Sequence, residues 1–142
     1  MPASDAVEAF LAEPRNVIVA GTARSGRPVM TPNWFHWDGE HFYVSTTRDR
    51  VKYPMFNRDP RVQLLIDDAT GFRSVLVNGR VEFWEDLDRT LPFFKAIRVK
   101  HGRPVPDDDT LRNDLEKESR VLLVVIPDVP PAEWRSWGLP PA

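Results

Sequence analysis

The 142-residue chain contains no cysteine. Disulfides, thiolate metal sites and cysteine nucleophiles are thereby excluded, and with them the usual sequence clue to redox compartment. Long apolar runs are missing too. Nothing approaches the roughly 18 to 20 residues of a membrane-spanning helix, and the opening stretch MPASDAVEAFLAEPR is short, acidic and broken by Pro14. These features predict a cytoplasmic protein with no membrane insertion. Neither a glycine-rich dinucleotide fingerprint nor a Walker loop occurs, and Ser25 and Ser74 lack the Gly-x-Ser-x-Gly setting of a hydrolase nucleophile. His36 and His41 flank a predicted hairpin with no helix to align them, so they read as strand-end histidines facing water rather than metal ligands. Asp67-Asp68 ends a strand, and Asp107 to Asp109 precede a helix, where acids are electrostatically favoured. No metal site is assigned. A formal charge of −2 argues against general nucleic-acid affinity and leaves room for a local basic pocket that takes a small anion.

What is present is a mainly β chain of single-domain length, residues 1–142, long enough to close a core unaided. Ser4 caps a short helix from Asp5 to about Ala12, with Val7, Phe10 and Leu11 as its buried stripe. Strands are predicted over Asn16 to Ala23, Val29 to His36 and His41 to Ser45, joined by RSGRP and by the Asp38-Gly39 hairpin signal. These three form a meander. Further strands follow at Arg61 to Asp67 and Arg73 to Glu85, with Gly79 as a bulge or bend. A helix from Asp88 to His101, capped by Asp88, buries Leu91, Phe94 and Ile97. After the loop HGRPVPDDD a third helix spans Thr110 to about Glu118. The wholly apolar strand Arg120 to Ile126 demands cover on both faces, and the rest is an irregular tail. The whole suggests an antiparallel sheet curling into a barrel.

The chemistry concentrates between Tyr43 and Asp67. Thr46, Thr47, Arg48, Arg50 and Lys52 crowd three cations and two hydroxyls into seven positions after a strand. A helix starts at about Val51 with Pro54 in its first turn, so free amides of that turn would point back at the cluster. Converging amides, hydroxyls and cations describe a phosphate cradle. The other reading of the same residues is a solvated basic turn between two strands.

With GRPVMTPNWFHWDGEHFYVST, TTRDRVK, NRDPRVQLLID and SVLVNGRVEF in this order, the chain resembles the flavin and deazaflavin split-barrel proteins related to pyridoxamine 5'-phosphate oxidase. The likeness runs from about Phe10 to Glu85. Its T-x-x-x-R-x-K pattern, followed by a helix and an N-x-D/N-P-x-V strand, looks most like the actinobacterial branch that uses coenzyme F420, an 8-hydroxy-5-deazaflavin. The resemblance implies a six-stranded antiparallel split β-barrel with Greek-key connectivity, the FMN-binding split barrel, carrying peripheral short helices. It also implies a homodimer with cofactor clefts at the interface.

Carried over by position, Arg50 and Lys52 would hold the cofactor phosphate, with Thr46 and Thr47 giving hydroxyl or amide donors. Met30, Thr31, Pro32, Asn33 and Trp34 match the segment lying along the tricyclic ring, although strand alternation alone would make Met30 and Trp34 ordinary barrel core. Arg48 would lie nearer the acidic oligoglutamate tail of F420, or simply face solvent. Ser74 stands where related oxidases carry a glutamine touching the flavin, a departure that weakens the FMN oxidase reading. The implied activity is F420-dependent hydride transfer to an electron-poor conjugated small-molecule acceptor of quinone, enone or tetrapyrrole type. An FMN-dependent oxidoreductase and a non-catalytic F420 or FMN carrier are the alternatives. No catalytic acid is assigned among Tyr43, His36 and water. Trp134 and Trp137 either cap a cleft across the dimer or staple the tail to its own barrel.

Overall fold

The computed structural model describes residues 3–140. Six long strands carry it: β1 (Val17–Thr22), β2 (Pro28–Asn33), β4 (Phe42–Thr47), β5 (Arg61–Asp67), β6 (Ser74–Trp84) and β7 (Arg120–Pro127). Two short ones, β3 (His36–Trp37) and β8 (Arg135–Trp137), are added to the same antiparallel sheet. The strand order is β2-β1-β5-β6-β7-β4-β3, with β8 on β6. This is the split β-barrel expected from the sequence, and it corrects the meander: β2 and β4 lie near opposite ends of the hydrogen-bonded path. The predicted strand from Val29 to His36 breaks at Trp34 and Phe35, and the chain crosses there from the β2 edge to the β3–β4 hairpin.

The helices are α1 (Asp5–Ala12), α2 (Lys52–Arg58), α3 (Leu87–Lys100) and α4 (Asp108–Lys117). Ser4 caps α1 through Val7 N–H, as its hydroxyl and position predict. The cap of α3 is Asp86, whose carboxylate accepts from Asp88 N–H; Asp88 itself already lies inside the helix. An acid two residues earlier serves better because only a residue outside the helix has the extended backbone that lets its side chain fold back.

Two apolar layers result. The barrel interior gathers alternate residues such as Val17, Val19, Leu64, Ile66, Val75, Val77, Leu123 and Val125, and is plugged by Phe10 and Leu11 of α1 and by Met55 and Phe56 of α2. Outside, Leu122 and Val124 of β7 and Tyr43 of β4 pack under Leu91, Phe94, Ile97, Leu111 and Leu115 of α3 and α4. Strand β7 therefore has the two covered faces that its continuous apolar run requires.

Two further expectations change. Gly79 is no bulge, since the pairing Arg61↔Arg80, Val62↔Gly79, Gln63↔Asn78 runs through it without interruption. Its missing side chain admits β7, because a Cβ there would lie 2.5 Å from the Ile126 carbonyl oxygen. The tail is not irregular either: β8 pairs with Ser74 to Leu76, the part of β6 that β7, paired only from Gly79 onward, leaves with an open edge. Trp134 is stapled to its own barrel, with ring centroids 5.1 Å from Trp37 and 5.6 Å from Phe42. Trp137 is 45% exposed.

Candidate functional site

The split between β2 and β4 is bridged by side chains. Lys52, the first residue of α2, is 4% exposed and its ammonium donates to Thr31 Oγ1 on β2 at 3.1 Å. Thr31 in turn donates to Asn33 Oδ1 at 2.9 Å. Among the described residues Lys52 has no carboxylate partner. Burial, with the Arg50 guanidinium second, holds its pKa below the ordinary lysine value. The Thr46 hydroxyl, 2% exposed, likewise lacks a hydrogen-bond partner.

Strand alternation separates the two threonines. Phe42, Val44 and Thr46 turn toward the barrel interior, while Tyr43, Ser45 and Thr47 face outward, so Thr46 and Thr47 cannot aim both hydroxyls at one group. Thr47 hydrogen-bonds Asp49, an acid inside the basic cluster that lowers the local positive charge. This bond holds the Asp49 carboxyl below the usual carboxylate range. The amides of α2 contribute less than expected, because Tyr53 N–H is already engaged by the Arg50 carbonyl at 3.1 Å and Pro54 has none. Arg50 makes no ion pair among the described residues, whereas Arg48 is bound to Glu85 at 2.9 Å, with Tyr53 donating to the same carboxylate. Arg48 is therefore a paired surface arginine in this conformation.

A cleft of about 450 Å³ adjoins the bridge, within the range typical of small-molecule sites. One side is Asn16, Pro32, Asn33, Trp34, Ser45 and Arg50, and the other is built from α3, α4 and their connections through Phe94, Ile97, Arg98, Arg103, Leu115, Glu118 and Arg120. The second wall was not among the residues assigned from the sequence. The helices and loop that supply it carry no recognisable motif. Trp34 is 41% exposed and Met30 64% exposed, which removes the barrel-core reading of both. The indole of Trp34 stacks on His101 at 4.7 Å with the planes 6° apart, and His101 Nε2 accepts from Phe35 N–H at 3.4 Å. Burial lowers the His101 pKa, favouring the neutral ring that this acceptance requires.

The assigned residues are thus only partly convergent. Thr31, Asn33 and Lys52 are joined by hydrogen bonds, and Pro32, Asn33, Trp34 and Arg50 share the cleft. Ser74 opens β6 opposite Asp67, separated from β2 by β5 and β1, and does not reach the bridge within one protomer. His36 and His41 are half-buried rather than solvated, packed against Tyr43, and His41 also against Trp84. Tyr43 donates to Asp38 at 2.6 Å, and burial plus this acid raise its pKa well above the ordinary tyrosine value. Among the described residues no group of three His, Cys, Asp or Glu is placed to hold a metal ion, and no helix is long and apolar enough to cross a membrane.

A family model described as pyridoxamine 5'-phosphate oxidase matches residues 3–137. Comparison with curated proteins finds no match. Among solved structures, one described as an F420 reductase is 27% identical, with a TM-score of 0.70 over 86% of this chain and 93% of the other. A conserved hypothetical protein from Mycobacterium tuberculosis is 24% identical, with a TM-score of 0.79 over 94% and 84%. A heme storage protein from Vibrio cholerae is 14% identical, with a TM-score of 0.74 over 98% and 97%. The last two likenesses are of fold.

Proposed function

The chain belongs to the pyridoxamine 5'-phosphate oxidase family and has its oxidoreductase-type fold, and we propose that it is a reductase that holds coenzyme F420 by its phosphate. The observation that carries this reading is Lys52. A lysine 4% exposed, whose ammonium donates to the Thr31 hydroxyl and meets no acid among the described residues, leaves a buried positive charge uncompensated. Such a charge costs several kcal/mol, which a phosphate docking beside it would offset. Arg50 without an acid partner and the partnerless Thr46 hydroxyl fit the same dianion, Arg as a planar fork and Lys as a point charge. The likeness to a structure described as an F420 reductase favours a deazaflavin over FMN.

When bound, the deazaflavin supplies a hydride to an electron-poor conjugated acceptor. The chain's own part is to fix donor and acceptor face to face in the cleft and to keep water from between them, with no nucleophile required. Thr31, Pro32 and Asn33 would position the ring system, and the stacked Trp34 offers a flat apolar surface beside it. A homodimer completes the proposal. The sheet face carrying Ile18, Met30, Pro32, Leu65 and Leu76 shows its apolar residues half-buried or exposed, and it runs into the cleft at Pro32.

Parallel titration of the purified protein with F420 and FMN tests the assignment. F420 is expected to bind more tightly, and Lys52→Ala and Arg50→Ala each to weaken it about 10-fold or more, the scale of a lost charge-assisted hydrogen bond. F420 affinity unchanged from the parent in both variants would remove the cradle, and tighter FMN binding with oxygen reactivity would move the assignment to FMN. Binding without oxidation of reduced F420 by any of a panel of quinones, enones and tetrapyrroles would make the protein a carrier.

A further inference from the structure

The wall of the cleft built from α3 and its connection to α4 carries a charge pattern that the cofactor reading does not use. The chain as a whole is acidic, with a formal charge of −2, yet four arginines and a single acid line this cleft. The acid is already engaged, because Glu118 is ion-paired with Arg120 at 2.7 Å. Arg120 also donates to Ser45 Oγ at 3.1 Å, which holds it flat against β4. Arg50 belongs to the phosphate cradle.

Arg98 and Arg103 remain. Arg98 donates one N–H to the Pro104 carbonyl at 3.2 Å, a bond that orients the guanidinium without neutralising it. Arg103 lies 5.7 Å from the centre of the Trp34 ring. Neither makes an ion pair among the described residues. A backbone bond of 2.8 Å from Arg103 N–H to the Arg98 carbonyl ties the two together at the end of α3. Between them and β2 lies the indole of Trp34, 41% exposed and stacked through one face on His101, with Phe94 and Ile97 buried beneath the cleft floor.

We infer that this wall selects acceptors with a planar conjugated body and a carboxylate, which Arg98 and Arg103 receive while the body lies against Trp34. The inference rests on the reductase reading and names its substrate class. A guanidinium takes a carboxylate by two parallel N–H bonds, and two tethered guanidiniums beside an exposed aromatic ring hold it better than either does alone in open water. A neutral acceptor of the same shape would gain the stacking contact alone. The arginines are specificity-determining, and no chemistry of the hydride step passes through them.

The test uses anthraquinone-2-carboxylate and its methyl ester, with binding to the whole protein followed by calorimetry in the absence of cofactor. The acid is expected to bind at least about 10-fold more tightly than the ester, and this preference to disappear in Arg98→Ala/Arg103→Ala and to reverse toward a cationic analogue in Arg103→Glu. The affinity of the double variant for F420 should stay within about twofold of the parent, since phosphate contacts are untouched. Both side chains reach solvent, so thermal melting of the variants should match the parent and confirm that they fold. Equal binding of acid and ester by the parent overturns the inference. So does a double variant that keeps the acid preference but loses F420 affinity, which would assign these arginines to the acidic tail of the cofactor. Failure of the parent to bind F420 or FMN is a separate result: it removes the reductase reading and leaves the acid-over-ester comparison standing by itself.

Discussion

A buried ammonium without an acid beside it is a stability defect unless something anionic arrives. Lys52 has that character, at 4% exposure with Thr31 as its hydrogen-bond acceptor. Removing the charge while keeping the volume should therefore stabilise the free protein. Lys52→Met is expected to raise thermal stability by about 1 kcal/mol, roughly 3 to 5 °C for a domain of this size, while weakening F420 binding about 10-fold or more, as in Lys52→Ala. A lower melting temperature would show that the ammonium is compensated in the free state. The same residue sets a pH dependence. Its native pKa lies below that of the unfolded chain, so between the two values the unfolded state binds more protons and stability rises with pH. The rise should be absent in Lys52→Met and suppressed by saturating F420, whose phosphate favours the charged amine; melting curves from neutral pH upward, with and without ligand, check this. Lys100 adds a second contribution of the same sign. Burial pushes its pKa down to about 8, with its ammonium over the Phe35 ring and donating to the Leu11 carbonyl at 2.6 Å. Comparing Lys52→Met with its parent cancels that background.

Short elements owe their placement to neighbours rather than to their own propensity. Helix α2 has seven residues and a valine at its N-cap with no side-chain cap bond, so alone it would not persist. It is held by Met55 and Phe56 inserted against β1 at Gly21, where a Cβ would lie 2.6 Å from the Met55 methyl and 2.7 Å from the Phe56 ring. That close approach fixes where Lys52 can reach. Gly21→Ala is expected to cost about 1 to 3 kcal/mol by overpacking and to weaken F420 binding several-fold without touching the ligand. Denaturant melts and titration of the one variant check both effects, and an unchanged affinity would uncouple α2 from the cradle. Helices α3 and α4 stand in the opposite case. Their stripes Leu91, Phe94, Ile97 and Leu111, Leu115 are long enough to read as helical and to bury against β4 and β7.

On the scale of the molecule, the curled sheet leaves one broad face without a helical layer. Ile18, Leu65 and Leu76 are cross-strand neighbours on it, and Pro32 and Met30 extend the apolar band to the β2 edge. A standard interface removes about 800 Å² per partner from water, and a charge at its centre leaves an unpaired buried ion when the partners meet. If this face is the interface of the proposed homodimer, Leu65→Glu is expected to leave a monomer in light scattering while the circular dichroism of the barrel persists. F420 affinity should fall with dimerisation if the cofactor cleft is shared between protomers. A parent protein that is already monomeric would sink the interface, and the cleft would then have to serve within one chain.

Periodicity made most elements legible before any coordinates. Alternation marked β1, β5 and β6, the unbroken apolar run of β7 announced a strand covered on both faces, and the spacing of Val7, Phe10 and Leu11 marked α1. The concentration of Arg50, Lys52 and the threonines pointed to one anion, and the order of the quoted motifs to a split barrel. Local pattern could not give what depends on which edges meet. The crossing at Trp34 and Phe35, the recruitment of the tail as β8 and the bridge from Lys52 to Thr31 follow from sheet curvature, which brings distant strands together. Nor could it reveal that Thr46 and Thr47 face opposite sides of the sheet, that Arg48 is held by Glu85, or that α3 and α4 supply the second wall of the cleft. A residue's chemistry is local, whereas its neighbours across the fold are set by packing between segments far apart in the chain.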